Sequence, residues 1–362
     1  MNDALTGGVL VTEKSDELED LRALVDAIGS KSAHARIGHR GLPDEFDAAL
    51  WNDLQDAGLT RLTSPAEPDA GPVELAVVLR GLARWSASVP VAETDLFGAW
   101  LAGRAGLGAP DGPLTVALCD ADQAGPTIRA RAARVAWTRA TAGVVLAVRS
   151  HDELLVSIAD PTELAITDGH NLAGEPRDTI DIALPRDRFI AIEARVADEL
   201  RCRAVWARCV QVLGALDATA ESTVAHTRER EQFGRALSAF QSVQHSLAQL
   251  AGEVERFRAT TEVAVAAADE HGFGHPTTDF AASVGAVVGT QVVASAVTIA
   301  HQLHGAIGTT MEHPLWLATT RAQSWIEEFG SRAHHAERIA NRLSQVDDPW
   351  DVVIGMATPR SR

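Results

Sequence analysis

Across residues 18–107 the apolar positions recur every three or four residues. Leu18, Leu21, Leu24, Val25 and Ile28 mark one helical face, and Leu50, Trp51, Leu54 and Leu59 mark another. Breakers part these segments at Gly41, Leu42 and Pro43, over residues 63–72 and over residues 106–113. From residue 114 to 184 the period shortens, and the β-branched runs at 115–118, 143–148 and 154–158 predict strands. A turn-rich stretch at 171–178 precedes one more predicted strand at 179–184. After Pro185 the helical period returns and holds to about Leu343. Val243, Leu247, Leu250, Val254 and Phe257, spaced four, three, four and three, predict a helix packed in a bundle. The tail beyond Asp347 lacks apolar periodicity and is expected to be loose. The predicted chain is mainly α with a central β-domain. It has an N-terminal α-helical domain over 1–112, a shortened middle β-domain over 113–190, a C-terminal four-helix bundle over 191–346 and a tail over 347–362.

Composition narrows the function classes. With 362 residues and 46% hydrophobic content the chain can bury a large core. A net charge of −17 repels nucleic-acid phosphates and anionic lipid, so neither is an expected partner. Cys119, Cys202 and Cys209 form no paired ladder and no CxxC spacing, as expected of a reducing cytoplasm, and no secretory signal is read at the N-terminus. Residues 280–300 carry no charge and are long enough to span a bilayer. Ser283, Thr290, Gln291, Ser295 and Thr298 within them predict a buried bundle helix instead.

Two local sequences carry chemistry. The first is Arg230-Glu231-Gln232-Phe233-Gly234-Arg235, followed by Phe240-Gln241-Ser242-Val243-Gln244-His245. The second is Gln302-Leu303-His304-Gly305-Ala306-Ile307-Gly308, with Glu312-His313-Pro314 after it. Arg230 offers a fork of donors suited to a pyrophosphate, and Gln232 and Gln241 offer neutral amides. Gly305 and Gly308 are expected to let the backbone approach a ligand closely. The bland reading is an Arg230 paired with Glu229 or Glu231 and solvated glutamines. The order and spacing of the two motifs resemble the third domain of acyl-CoA dehydrogenases. That resemblance implies FAD as cofactor and contacts to it from Arg230, Gln232, Phe233, Gln241, Gln302, Leu303 and Gly305, with the flavin belonging to a neighbouring subunit.

Other features of the resembled family are missing. Its flavin-holding Thr-Glu-Pro-x-Ala-Gly-Ser segment is replaced by residues 118–126, where Asp120 and Asp122 bring negative charge to the phosphate region. Trp137-Thr138 resembles a remnant of the flavin-stacking strand, or is sheet packing. The catalytic glutamate's usual place is Phe329, and its alternative place falls at Ala204 or Val205. None of these can take a proton. Glu328, one residue from the usual place and turned by about 100°, is a weak candidate, and Glu193 and Glu199 read as solvated charges. The resemblance therefore implies the incomplete subunit of an α2β2 heterotetramer, of the type acting on steroid-derived acyl-CoA thioesters, with a homologous catalytic partner and an electron-transfer flavoprotein as acceptor. The alternatives are a homo-oligomeric dehydrogenase using Glu327 or Glu328, and a scaffold without cofactor. A metal site built from His301, His304 and His313, or from His334 and His335, lacks carboxylate or thiolate ligands at matching spacing and is not expected.

Overall fold

The structure, a computed structural model, describes residues 15–36, 41–64, 70–121, 125–150 and 152–353. The chain divides into two compact units, one of residues 23–79 and 87–204, the other of residues 1–22, 80–86 and 205–362.

In the first unit, α1 (Ser15–Ala35) contributes its part after Arg22 and is followed by α2 (Ala48–Asp56) and the body of α3 (Pro72–Arg84). Asp47 caps α2 by accepting from Leu50 N at 3.0 Å, while Leu50, Trp51 and Leu54 supply its buried face. A π-helical turn, Glu93–Ala99, is wholly buried and runs into α4 (Trp100–Arg104). Asp95 in that turn accepts from both the amide and the hydroxyl of Thr63, at 3.1 and 3.0 Å, and burial raises its pKa despite those bonds.

Seven strands follow: β1 (Leu114–Asp120), β2 (Thr127–Ala136), β3 (Gly143–Ser150), β4 (Glu153–Ala159), β5 (Ala165–Thr167), β6 (Arg177–Pro185) and β7 (Ile190–Glu193). They form one sheet ordered β1-β3-β4-β7, parallel only between β1 and β3, and an antiparallel sheet ordered β2-β6-β5. Ile128, Val144, Leu146, Val148, Leu155, Ile180 and Ile182 fill the shared core. The interior of β3 is buried on both faces, which is why its sequence reads as a continuous apolar run. Strand β2 escapes the sequence reading because Arg129, Arg131 and Arg134 alternate with alanines, and because a bulge between Ala132 and Val135 breaks its register. Strand β7 corrects the expectation that helix resumes directly after Pro185. The turn before β6 is organised by Asn171, whose side-chain oxygen accepts from Ala173 N and Glu175 N at 3.0 and 3.1 Å.

The second unit holds the helices of the C-terminal bundle: α5 (Val196–Glu229, from Val205 onward), α6 (Gln241–His271), α7 (Pro276–His304), α8 (Leu315–Ile326) and α9 (Arg332–Leu343). Between α5 and α6 lies a two-stranded hairpin, β8 (Glu231–Gln232) and β9 (Arg235–Ala236). Helix α7 starts on Pro276, ends at Gly305 in a left-handed conformation (φ 64°), and packs against α6, α8 and α9. It is the one described helix long and apolar enough to cross a membrane, and more than half of its most apolar stretch is buried inside the protein. Its small residues explain the packing. A Cβ on Gly285 would sit 3.2 Å from Cys209 Sγ, and one on Gly289 would meet the Phe257 ring at 2.7 Å. The expected loose tail instead begins with a short helix, α10 (Pro349–Val353), that buries Val352. The three cysteines are buried, and burial pushes Cys119 and Cys209 up to about 12.

Candidate functional site

The first motif forms the β8–β9 hairpin. Phe233 and Gly234 occupy its two-residue turn with φ of 54° and 77°, the left-handed pair that hairpin twist demands. The backbone of Arg230 closes the base of the hairpin by accepting from Leu237 N at 2.8 Å. Phe233 is 94% exposed, an extreme value for a phenylalanine; its ring meets the edge of Phe240 at 6.3 Å, and Arg235 lies over Phe240 at 3.9 Å. The side chains of Arg230, Gln232, Gln241 and Gln302 are exposed and make no hydrogen bond or ion pair among the described residues. Arg230 does not pair with Glu229 or Glu231, so its donor fork is unspent.

The second motif ends α7. Leu303 is half-buried, and Gly305 supplies the left-handed cap with open space where a Cβ would stand. Gly308 departs from expectation. A Cβ there would meet His304 Cβ at 2.8 Å and Leu315 Cδ2 at 3.0 Å, so Gly308 serves packing inside its own loop. The two motifs meet through imidazoles: His226, one helical turn before Arg230, stacks on His304 at 4.4 Å, and His313 meets His304 at 4.8 Å. The sequence reading weighed His304 and His313 but not His226, although its place one turn before Arg230 is the signal that could have found it.

Elsewhere in this unit, Val205 and Phe329 line one small pocket together with Arg208, Cys209, Trp325 and His335. Arg208 Nε donates to Glu328 Oε2 at 2.6 Å, with both side chains about 5% exposed or less, and the guanidinium lies 5.5 Å from the Phe329 ring centre. Arg208 also donates to Gln211 Oε1 at 2.5 Å. Glu328 is thus a buried counterion. Glu327 is exposed at the end of α8.

In the sheet unit, Trp137 is buried to 3% exposure with φ 55°, and Thr138 beside it is fully buried, so this pair is part of the sheet packing. Asp120 is engaged by Arg149 at 2.8 Å, and Asp122 lies outside the described residues. Ala204 is buried, Glu193 pairs with Arg195, and Glu199 departs from the solvated reading by bonding Arg203 at 2.8 Å. Arg203 stacks on Trp100 at 4.0 Å, and burial lowers its pKa.

Residues 203–344 match the family model for the acyl-CoA dehydrogenase C-terminal domain. That segment is an acyl-CoA dehydrogenase C-terminal domain. The acyl-CoA dehydrogenase IpdE2 of Mycolicibacterium smegmatis is 25% identical over 335 residues, which cover 90% of this chain and 98% of that protein. Against the mycobacterial FadE25 acyl-CoA dehydrogenases, such as that of Mycobacterium bovis, identity is 32% over 105 residues, and the match spans 26% of their length. Among solved structures, the ChsE4-ChsE5 complex from Mycobacterium tuberculosis aligns with a TM-score of 0.79 at 21% identity, covering 94% of this chain and 99% of that one. A variant of the Tcur3481-Tcur3483 steroid ACAD aligns with a TM-score of 0.77 at 24% identity, covering 91% and 98%. These likenesses establish the acyl-CoA dehydrogenase fold, with its helical and central sheet regions.

Proposed function

We propose that this chain is the flavin-completing subunit of an FAD-dependent acyl-CoA dehydrogenase, working beside a homologous catalytic subunit in a heterotetramer. The observation that carries this reading is the Arg208–Glu328 pair beside Phe329. A dehydrogenase base must be free to reach the α-carbon of a bound thioester, and here Val205 and Phe329 carry no acid while Glu328 is buried against Arg208. A carboxylate held as the counterion of a buried guanidinium is a poor proton acceptor, because protonating it would strand the arginine's charge. The buried Trp137 likewise offers no free ring face to a flavin in the sheet unit, so the chain's own residues do not fit a complete FAD.

They do fit part of one. In this reading Arg230 binds the pyrophosphate through its unspent donors, Gln232, Gln241 and Gln302 hydrogen-bond neighbouring polar atoms, and Phe233 covers an apolar surface of the partner. Leu303 and Gly305 shape the backbone beside them. When bound, FAD accepts the β-hydrogen of the acyl chain as hydride while a base takes the α-proton. Within that reaction this chain binds and orients the cofactor's phosphate side. Two of the solved neighbours are named as paired chains, and one of them as a steroid ACAD, which supports a heteromer acting on a steroid-derived acyl-CoA. Electron-transfer flavoprotein as acceptor and a cytoplasmic setting belong to the same reading.

Co-expression with a homologous dehydrogenase subunit tests it. The expected result is a colourless chain alone and a yellow, active complex with one flavin per heterodimer, measured by absorbance. A purified single chain that is active and carries one flavin per polypeptide would instead establish the homo-oligomeric reading with Glu327 or Glu328 as base. A stable complex that stays colourless would establish the scaffold.

A further inference from the structure

We propose that His226, His304 and His313 hold one divalent transition-metal ion of the Zn2+ class, leaving a fourth coordination position open. The three imidazoles come from the end of α5, the end of α7 and the loop before α8, and a ligand atom from each lies within 4.8 Å of the others. Sequence spacing hides this set because the elements are far apart in the chain.

His304 is the fixed member. It is 6% exposed, and its Nδ1 lies 2.8 Å from Ala300 O. A carbonyl only accepts, so Nδ1 carries the proton and Nε2 presents a lone pair. That Nε2 is buried and has no hydrogen-bond partner among the described residues. Buried polar atoms are nearly always satisfied, and an imidazole anchored through Nδ1–H to a backbone carbonyl is the arrangement by which proteins orient a metal-binding Nε2. Neutral imidazole is the ligating form.

The donor set selects the ion. Three nitrogen ligands suit zinc, nickel or copper and disfavour magnesium and calcium, which want oxygen. Three protein ligands with one position open is the pattern of an exchangeable zinc site. Tetrahedral zinc with nitrogen ligands at about 2.0–2.1 Å needs its nitrogens about 3.3 Å apart, so the cluster must contract on binding. His226 and His313, both half-buried, are the rings free to turn; His313 gives up the 3.2 Å hydrogen bond its Nδ1 accepts from Leu315 N.

The test uses the full chain without an affinity tag, stripped with a chelator, titrated with Zn2+ calorimetrically and assayed for retained zinc after desalting. The expected result is one equivalent per chain, weakened at least tenfold in His304→Gln and in His226→Gln and unchanged in His334→Gln, a histidine outside the cluster. Should His304→Gln fail to fold, His226→Gln at its half-buried position decides the matter. Failure to retain zinc, or equal retention by the wild type and the His226→Gln chain, overturns the site. Neither outcome depends on whether the chain binds flavin.

Discussion

His335 shows what burial does to a single ring. It lines the small pocket beside Phe329 with its Nδ1 unpartnered among the described residues, and burial, with His334 and Arg338 adding to it, pushes its pKa down to about 4; Asp279 works weakly in the other direction. In the unfolded chain the same imidazole titrates near 6.5, so between about pH 6.5 and 4 the unfolded state binds a proton that the folded state refuses. Stability contributed by the neutral ring is therefore complete above pH 6.5 and falls as pH drops toward 4. Melting temperatures measured from pH 7.5 to 4.5 should show this acid limb, and His335→Leu should flatten it. At Arg230 the expectation concerns affinity. Removing charge-assisted hydrogen bonds worth about 1.5–3 kcal/mol should weaken flavin retention in the partner complex about 10- to 100-fold, with no change in the chain's own melting temperature. An unchanged flavin content in Arg230→Ala would refute the role given to that residue. Arg230, Gln232 and Gln302 stand out as candidates in the sequence because two short contiguous motifs carry them. His226 and Arg208 were not, because each acquires its meaning from residues on other helices.

Between elements, buried charge and missing side chains set the fit. Asp217 on α5 accepts from Arg80 on α3 at 2.7 Å and from Arg258 on α6 at 2.8 Å, with Arg258 almost wholly buried. Asp217→Ala would leave Arg258 without that carboxylate, a change that typically costs about 3–5 kcal/mol. Urea unfolding should register it as a lower midpoint at unchanged slope. Gly214 brings the same two helices, α3 and α5, together, since a Cβ there would run into the backbone carbonyl of Arg80. Gly214→Ala should be more damaging than Gly289→Ala, whose obstacles are the side chains of Phe257 and Ile326 and can yield. Periodicity found the helices of both units because their apolar stripes are regular. It missed β2, where arginines stand outward and alanines separate the buried Ile128 and Val135, and it missed β7, which is only four residues long and exposed on most of its positions. Strand existence in such cases depends on neighbours, as β2 depends on β6.

For the molecule as a whole, the exposed hairpin separates stability from assembly. Phe233 touches little of its own chain, so Phe233→Ser should leave the melting temperature within about 1 °C while weakening association with the partner subunit, measured by analytical ultracentrifugation. A fall in both would mean that the hairpin supports this chain's own fold. The overall architecture was readable because the change from period 3.6 to period 2 and back is written along the chain, whereas the Arg208–Glu328 pair was not, because it needs α5 and the end of α8 side by side. The Arg208–Glu328 pair carries one more consequence. Placing a glutamate at Phe329 by a single substitution would set a second carboxylate beside Glu328, next to the same Arg208 guanidinium. Removing Arg208 first would strand Glu328 instead, so in the proposed two-chain reading neither change made alone would give this chain a working base.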